Sequence, residues 1–295
     1  MIDTADLGRA VSRQLSRPPI TRFAPSPTGY LHLGHVVNAI FVWGVARAAG
    51  GRVQLRIEDH DRARCRPGYE AACLDDLAWL GFVPDAGLTP LYRQQDHNPQ
   101  YARALARLVA LDRVYACACT RRDVGGERYD GLCRHRGLRH SSGHGLRVRL
   151  DDGDETAQDL RHGTLTQRPA EQCGDLLIKD RDGQWTYQFA VTVDDQEEEI
   201  SLVIRGEDLL DSTGRQLALA RLLGRREPPL FLHHPMIYAG PGVKLSKSAG
   251  DAGVRELRDA GVTPEAVVGR AAAAVGLVPE GTPLPAREVH RLFGG

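Results

Sequence analysis

The apolar positions change period several times along the chain, and each change predicts an element. Ile20 to Ala24 is a short β-rich run, and Arg52 to Ile57 alternates as a half-buried strand does. Between them, Gly34 to Ala49 carries Val37, Ile40, Phe41, Trp43 and Val45 and ends at Gly50-Gly51, the pattern of a buried helix. Strand, helix, strand at this spacing predicts a right-handed parallel βαβ unit. Helices are predicted over Pro67 to Leu80, with proline in the first turn, and over Asn98 to Asp112, with Tyr101, Leu105, Leu108 and Leu111 on one face. Residues 1–19 read as a frayed or weakly helical lead-in.

The second half is more broken. Residues 143–154 are turn-rich, with one short strand over Leu146 to Leu150. Asp175 to Asp180 and Trp185 to Val193 flank Arg181-Asp182-Gly183, which predicts a β-hairpin. Strands follow over Ile200 to Arg205 and Leu230 to His234. The helix between them spans Ser212 to Leu223, with Ser212 or Thr213 as its N-cap. Two short helices close the pattern, Val254 to Ala260 and Pro264 to Val275.

Composition narrows the class only a little. The 295 residues are 42% hydrophobic and 26% charged, enough for a large globular core. Formal net charge is +0, so the global balance does not point to a nucleic-acid partner, although a local arginine patch would suffice for one. The first residues lack the apolar run of a signal peptide, and no stretch reads as a membrane span. Six cysteines without a secretion signal indicate a reducing cytoplasm rather than a disulfide scaffold.

Two stretches stand out chemically. Arg22-Phe23-Ala24-Pro25-Ser26-Pro27-Thr28-Gly29 leads from the first strand to His32-Leu33-Gly34-His35 at a helix start. A helix N-terminus offers N–H groups and a positive dipole end, so His32, Gly34 and His35 are placed to bind the phosphates of ATP. The second stretch is Lys244-Leu245-Ser246-Lys247-Ser248. Only three of the 38 basic residues are lysine, and two of the three fall in this one glycine-flanked loop. A lysine ammonium is a mobile point charge that can follow a phosphate during a reaction.

A third cluster is metal-like. Cys117, Cys119 and Cys133 lie within a short run, and thiolates bind zinc tightly. Tyr129, His135 or water would complete the set. Cys65, Cys73 and Cys173 are scattered and read as core or loop residues.

His32-Leu33-Gly34-His35 together with Lys244-Leu245-Ser246-Lys247-Ser248 resembles the paired ATP motifs of class I aminoacyl-tRNA synthetases. Leucine takes the middle apolar place in both, a swap that keeps volume and polarity. Arg22 to Ser26, Arg56-Ile57-Glu58-Asp59 and Val203-Ile204-Arg205-Gly206-Glu207-Asp208 narrow the resemblance to the glutamyl branch, from Thr21 to about Gly276. It implies a Rossmann-like, parallel-sheet α/β catalytic domain in two halves, 20–112 and 199–250, after the lead-in 1–19. A zinc-containing acceptor-type α/β subdomain would be inserted at 113–198, with short helices over 251–295.

The resemblance also implies chemistry. Arg22, Ser26, Glu58, Tyr187 and Arg205 match glutamate-binding positions: arginine forks suit two carboxylates, and Glu58 suits the ammonium. The α-carboxylate of L-glutamate would attack the α-phosphorus of ATP, with Mg2+ on the phosphates. Lys247, helped by Lys244, would neutralise the leaving pyrophosphate. Tyr129 becomes the favoured fourth zinc ligand. The 47 residues after Ser248 are fewer than an anticodon-reading module needs, roughly 50 at the least. The chain is therefore similar to the short glutamyl-queuosine tRNA(Asp) synthetase family, which places glutamate on the queuosine base of tRNA(Asp). A cytoplasmic monomer is expected.

Overall fold

The computed structural model describes residues 3–60, 64–126, 128–240, 243–244 and 253–294. Helix α1 (Leu7–Gln14) is a firmly packed element rather than a frayed lead-in. Leu7, Ala10 and Val11 share one face, and all three are buried. Strand β1 (Ile20–Phe23), helix α2 (Leu33–Ala48) and strand β2 (Arg52–Leu55) form the expected unit, with β1 parallel to β2 and Ile20 opposite Arg52.

Helix α2 is apolar on nearly every side, and from Val36 to Ala46 every residue but the half-buried Asn38 is buried. The main core accordingly wraps it, with α1 against one flank. Phe293 comes in from the far end of the chain. A Cβ on Gly44 would sit 2.2 Å from its ring, so glycine is what admits the contact.

Helices α3 (Pro67–Leu80) and α4 (Asn98–Ala110) follow close to the expected bounds. Strand β3 (Val114–Cys117), helix α5 (Arg121–Val124) and strand β4 (Gly145–Val148) come next. After them stand β5 (Glu155–Asp159), β6 (Gly163–Gln167), α6 (Pro169–Gln172) and β7 (Leu176–Lys179). Strands β3, β4 and β7 make a small antiparallel sheet.

The predicted hairpin at 175–193 does not form. Lys179 and Trp185 make a single bridge, and Tyr187 then opens helix α7 (Tyr187–Glu197). The β-branched Val191, Thr192 and Val193 suggest a strand, yet Phe189, Ala190 and Val193 share a helical face and bury it against the second core.

Strand β8 (Leu202–Gly206), helix α8 (Thr213–Leu222) and strand β9 (Leu230–His234) complete the parallel layer. Strand β8 pairs in parallel with β9, and the Ser201 N–H donates to the Ile20 carbonyl at 3.0 Å, placing β8 beside β1. The β5–β6 hairpin falls in the segment expected to be inserted, yet β5 joins β9 through Asp159 and Phe231. Beyond β9 lie a two-stranded pair, β10 (Tyr238–Gly240) and β11 (Val243–Lys244), then α9 (Val254–Asp259) and α10 (Pro264–Ala274).

Candidate active site

The carboxyl ends of β1, β8 and β9 and the N-terminus of α2 open onto one cavity of 570 Å³. This is where open α/β sheets place their ligands. Arg22, Ser26, His32, Gly34, His35, Glu58, Tyr187 and Arg205 all line it. Lys247 lies outside the described residues, and Lys244 is placed by its backbone alone, opposite Tyr238 in the β10–β11 pair.

His32 is the N-cap of α2. Its Nδ1 accepts the Gly34 N–H at 3.1 Å, while Nδ1 of His35 accepts the His32 N–H at 3.1 Å. Because both Nδ1 atoms accept, a neutral ring carries its proton on Nε2. The arrangement also explains Gly34, whose Cβ would come within 2.9 Å of the His32 ring.

Arg22 and Glu58 belong to a buried ion-pair network. Asp195, on α7, bridges Arg22 Nε at 2.9 Å and Arg56 Nη2 at 2.8 Å. Arg56 is fully buried and also reaches Glu58 at 3.2 Å and Glu198 at 2.6 Å. Burial works against the Asp195 carboxylate, but the two guanidinium groups outweigh it and hold the pKa down to about 2. Burial wins at Glu58, pushing its carboxyl up despite Arg56 and Arg22.

Arg205 is different. It is buried, and its three hydrogen bonds go to neutral acceptors: His233 at 3.0 Å, Gln216 at 2.6 Å and Thr213 at 2.9 Å. Among the described residues, no carboxylate pairs with it directly. Burial pulls its pKa down, as expected for a cation short of a counterion. A ligand carboxylate would supply one.

The cysteine cluster lies apart from this cavity. Cys117, Cys119 and Cys133 bring their sulfurs within 4.8 Å of one another. Tetrahedral zinc with bonds of about 2.3 Å would set thiolates roughly 3.8 Å apart, so the three fit. The Tyr129 hydroxyl stands 3.4 Å from the Cys117 sulfur and 3.9 Å from that of Cys119. Among the described residues, the hydrogen bonds to the cluster come from Tyr129, Arg136 and Arg147 and not from His135. Arg147 covers the Tyr129 ring at 3.6 Å and donates to the Cys117 sulfur at 3.3 Å, a cation suited to thiolates.

Residues 20–282 match the family model for the catalytic domain of class I tRNA synthetases for glutamate and glutamine. The chain belongs to that family. As a class I synthetase it is an ATP-using ligase. It is 44% identical over 248 residues to the Glutamyl-Q tRNA(Asp) synthetase of Ralstonia nicotianae, covering 78% of this chain and 77% of that one. Glutamate–tRNA ligase 1 of Acidithiobacillus ferrooxidans is 42% identical, with 84% of this chain but 55% of the ligase covered. The solved glutamate tRNA ligase of Elizabethkingia meningosepticum superposes with a TM-score of 0.78 at 27% identity, covering 93% of this chain and 64% of the ligase.

The motifs of this synthetase were readable as motifs, but the network behind them was not. Arg56 stands out in the sequence only as part of a motif, and Asp194, Asp195 and Glu198 fall between the expected hairpin, which ends at Val193, and the strand expected from Ile200, in a stretch with no assigned element. One signal was available: Arg56 and Glu58 are two apart on a strand and so share a face. Among the described residues, no helix is long and apolar enough to cross a membrane.

Proposed function

We propose that this synthetase activates L-glutamate with ATP, in the absence of tRNA, and transfers it to the queuosine base in the anticodon loop of tRNA(Asp). The observation that carries the glutamate reading is Arg205, a buried guanidinium in the cavity wall with no direct carboxylate partner among the described residues. Arg22 and Arg205 take the two carboxylates, Glu58 takes the ammonium, and Tyr187 and Ser26 close the pocket. The α-carboxylate oxygen attacks the α-phosphorus, a new O–P bond forms, and pyrophosphate leaves with its electron pair. The carboxylate is already a nucleophile, so the protein has only to align it and neutralise charge. His32, Gly34, His35, Lys244 and Lys247 serve the phosphates, and Mg2+ bound with the nucleotide would help to neutralise their charge. Zinc, held by Cys117, Cys119, Cys133 and Tyr129, would brace the segment around β3. The protein acts as a monomer in the cytoplasm.

The match over most of the length of a short relative supports the queuosine acceptor. Charging of the tRNA 3′ end is the second reading, favoured by the 42% identity to a glutamate–tRNA ligase. Glutamate-dependent ATP–pyrophosphate exchange without tRNA tests activation. Incorporation of labelled glutamate into tRNA(Asp) with its terminal nucleotides trimmed tests the acceptor. The queuosine reading expects incorporation to survive trimming; its disappearance favours the 3′ end.

A further inference from the structure

Behind the cavity, Arg205 is held by buried side chains that the activation chemistry does not use. Its Nε donates to Nε2 of His233 at 3.0 Å. On the other side of that ring, Nδ1 lies 2.7 Å from Oδ2 of Asp159. Arg205, His233 and Asp159 are 4%, 0% and 3% exposed.

Asp159 sits where the β5–β6 turn begins, and its position there is fixed. Its Oδ1 accepts the backbone N–H groups of Arg161 and His162, both at 2.8 Å, and its Oδ2 also accepts the His233 N–H at 3.0 Å. A carboxylate can only accept, so Nδ1 of His233 carries the proton. That leaves the Nε2 lone pair facing Arg205 at 3.0 Å, with the Thr213 hydroxyl 3.3 Å from the same nitrogen. The other tautomer, or an imidazolium, would set an N–H against the Arg205 N–H. Burial holds the His233 pKa low, which agrees with a neutral ring.

We propose that Asp159 and His233 are positioning residues for Arg205. Asp159 selects the tautomer of His233, and His233 then fixes the guanidinium through a neutral acceptor, without the direct ion pair that would saturate it. A carboxylate in the place of His233 would make that pair. The cavity thereby keeps a cation in reserve for an anionic side chain and discriminates glutamate from its neutral amide, glutamine. This inference rests on the glutamate reading of the cavity.

The test is tRNA-free ATP–pyrophosphate exchange by the full chain, with KM for glutamate, for glutamine and for ATP measured separately from kcat. Asp159→Asn keeps an oxygen for the turn but presents an NH2 to the His233 ring. For it and for His233→Phe, KM for glutamate is expected to rise roughly tenfold or more, and glutamate-over-glutamine selectivity to fall by a similar factor. The KM for ATP and kcat at saturating glutamate stay within about threefold. His233→Gln, whose side-chain oxygen can accept from Arg205, should recover most of the loss. Arg205→Lys is the reference. If it raises KM for glutamate while Asp159→Asn and His233→Phe leave it within about twofold, the cavity reading stands and the positioning role is overturned. If Arg205→Lys leaves that KM unchanged, the glutamate reading falls and this inference falls with it. Equal losses for ATP and glutamate would mark a structural role only, and would also overturn it. In the unaltered protein, nitrogen chemical shifts should place the His233 proton on Nδ1; a proton on Nε2 refutes the proposal without any variant.

Discussion

The Nδ1 of His35 accepts the backbone N–H of His32 at 3.1 Å, so the two histidines at the cavity rim are also the N-terminal cap of α2. Helix starts leave N–H groups without helical partners, and short oxygen-bearing side chains usually satisfy them. Here imidazole nitrogens do so, and the same contacts fix which nitrogen of each neutral ring carries the proton. The motif that reads as phosphate chemistry is therefore also helix architecture.

Replacing His35 with alanine should affect both roles. Loss of the cap should cost about 1 kcal/mol, a shift of a few degrees in a thermal melt. Loss of a phosphate donor should lower ATP–pyrophosphate exchange by roughly a hundredfold or more. An activity loss no larger than the loss of folded protein would leave His35 as a cap alone.

Arg56 gathers Glu58, Asp195 and Glu198 around one fully buried guanidinium. Arg56→Met would strand those carboxylates. Breaking a buried ion pair from one side typically costs about 3–5 kcal/mol, and a urea midpoint should report a loss of that size. A change below about 1 kcal/mol would show that the carboxylates simply protonate.

Stability should depend on acidity through Asp195. Its folded pKa is held to about 2, below the roughly 3.9 of an unfolded aspartate. The charged form is thus favoured by folding. Its contribution, on the order of 2 kcal/mol, is present above the unfolded value and is lost as pH falls through the folded one. The gap between Asp195→Asn and the unaltered protein, measured by denaturant titration, should be widest near neutrality and close in acid. A gap independent of pH would remove the charge from the account.

The cysteine cluster should carry one zinc per chain by metal analysis. Cys119→Ser should lose the metal and lower the melting temperature, and Tyr129→Phe should weaken binding if the hydroxyl is a ligand. Full metal retention by Cys119→Ser would rule the site out.

Lys247→Ala should depress exchange by about two orders of magnitude or more while glutamate binding, followed by calorimetry, changes little. An unchanged exchange rate would remove Lys247 from the chemistry.

Much of the frame was legible. The βαβ unit, α3 and β9 lie where the apolar pattern puts them. The misreadings share one cause. Val191 to Val193 favours strand locally, but Phe189 and Val193 meet a core built partly from α4 and the sheet of β3, β4 and β7. Likewise α1 looks marginal alone and is held by burial against α2. In both places tertiary packing overrode local preference.

Periodicity, caps and clustered residue types act within a turn or a strand, so the sequence by itself determined the α/β pattern, the histidines at a helix start, the paired lysines and the close-set cysteines. Tertiary structure alone decided which charges are answered. Asp195 meets Arg22 across 173 residues and Arg56 across 139, and His233 meets Asp159 across 74. Those pairings depend on where packed strands and helices end relative to one another. That is why Arg22 lines the cavity with its Nε already on an aspartate, while Arg205 lines it with neutral partners alone.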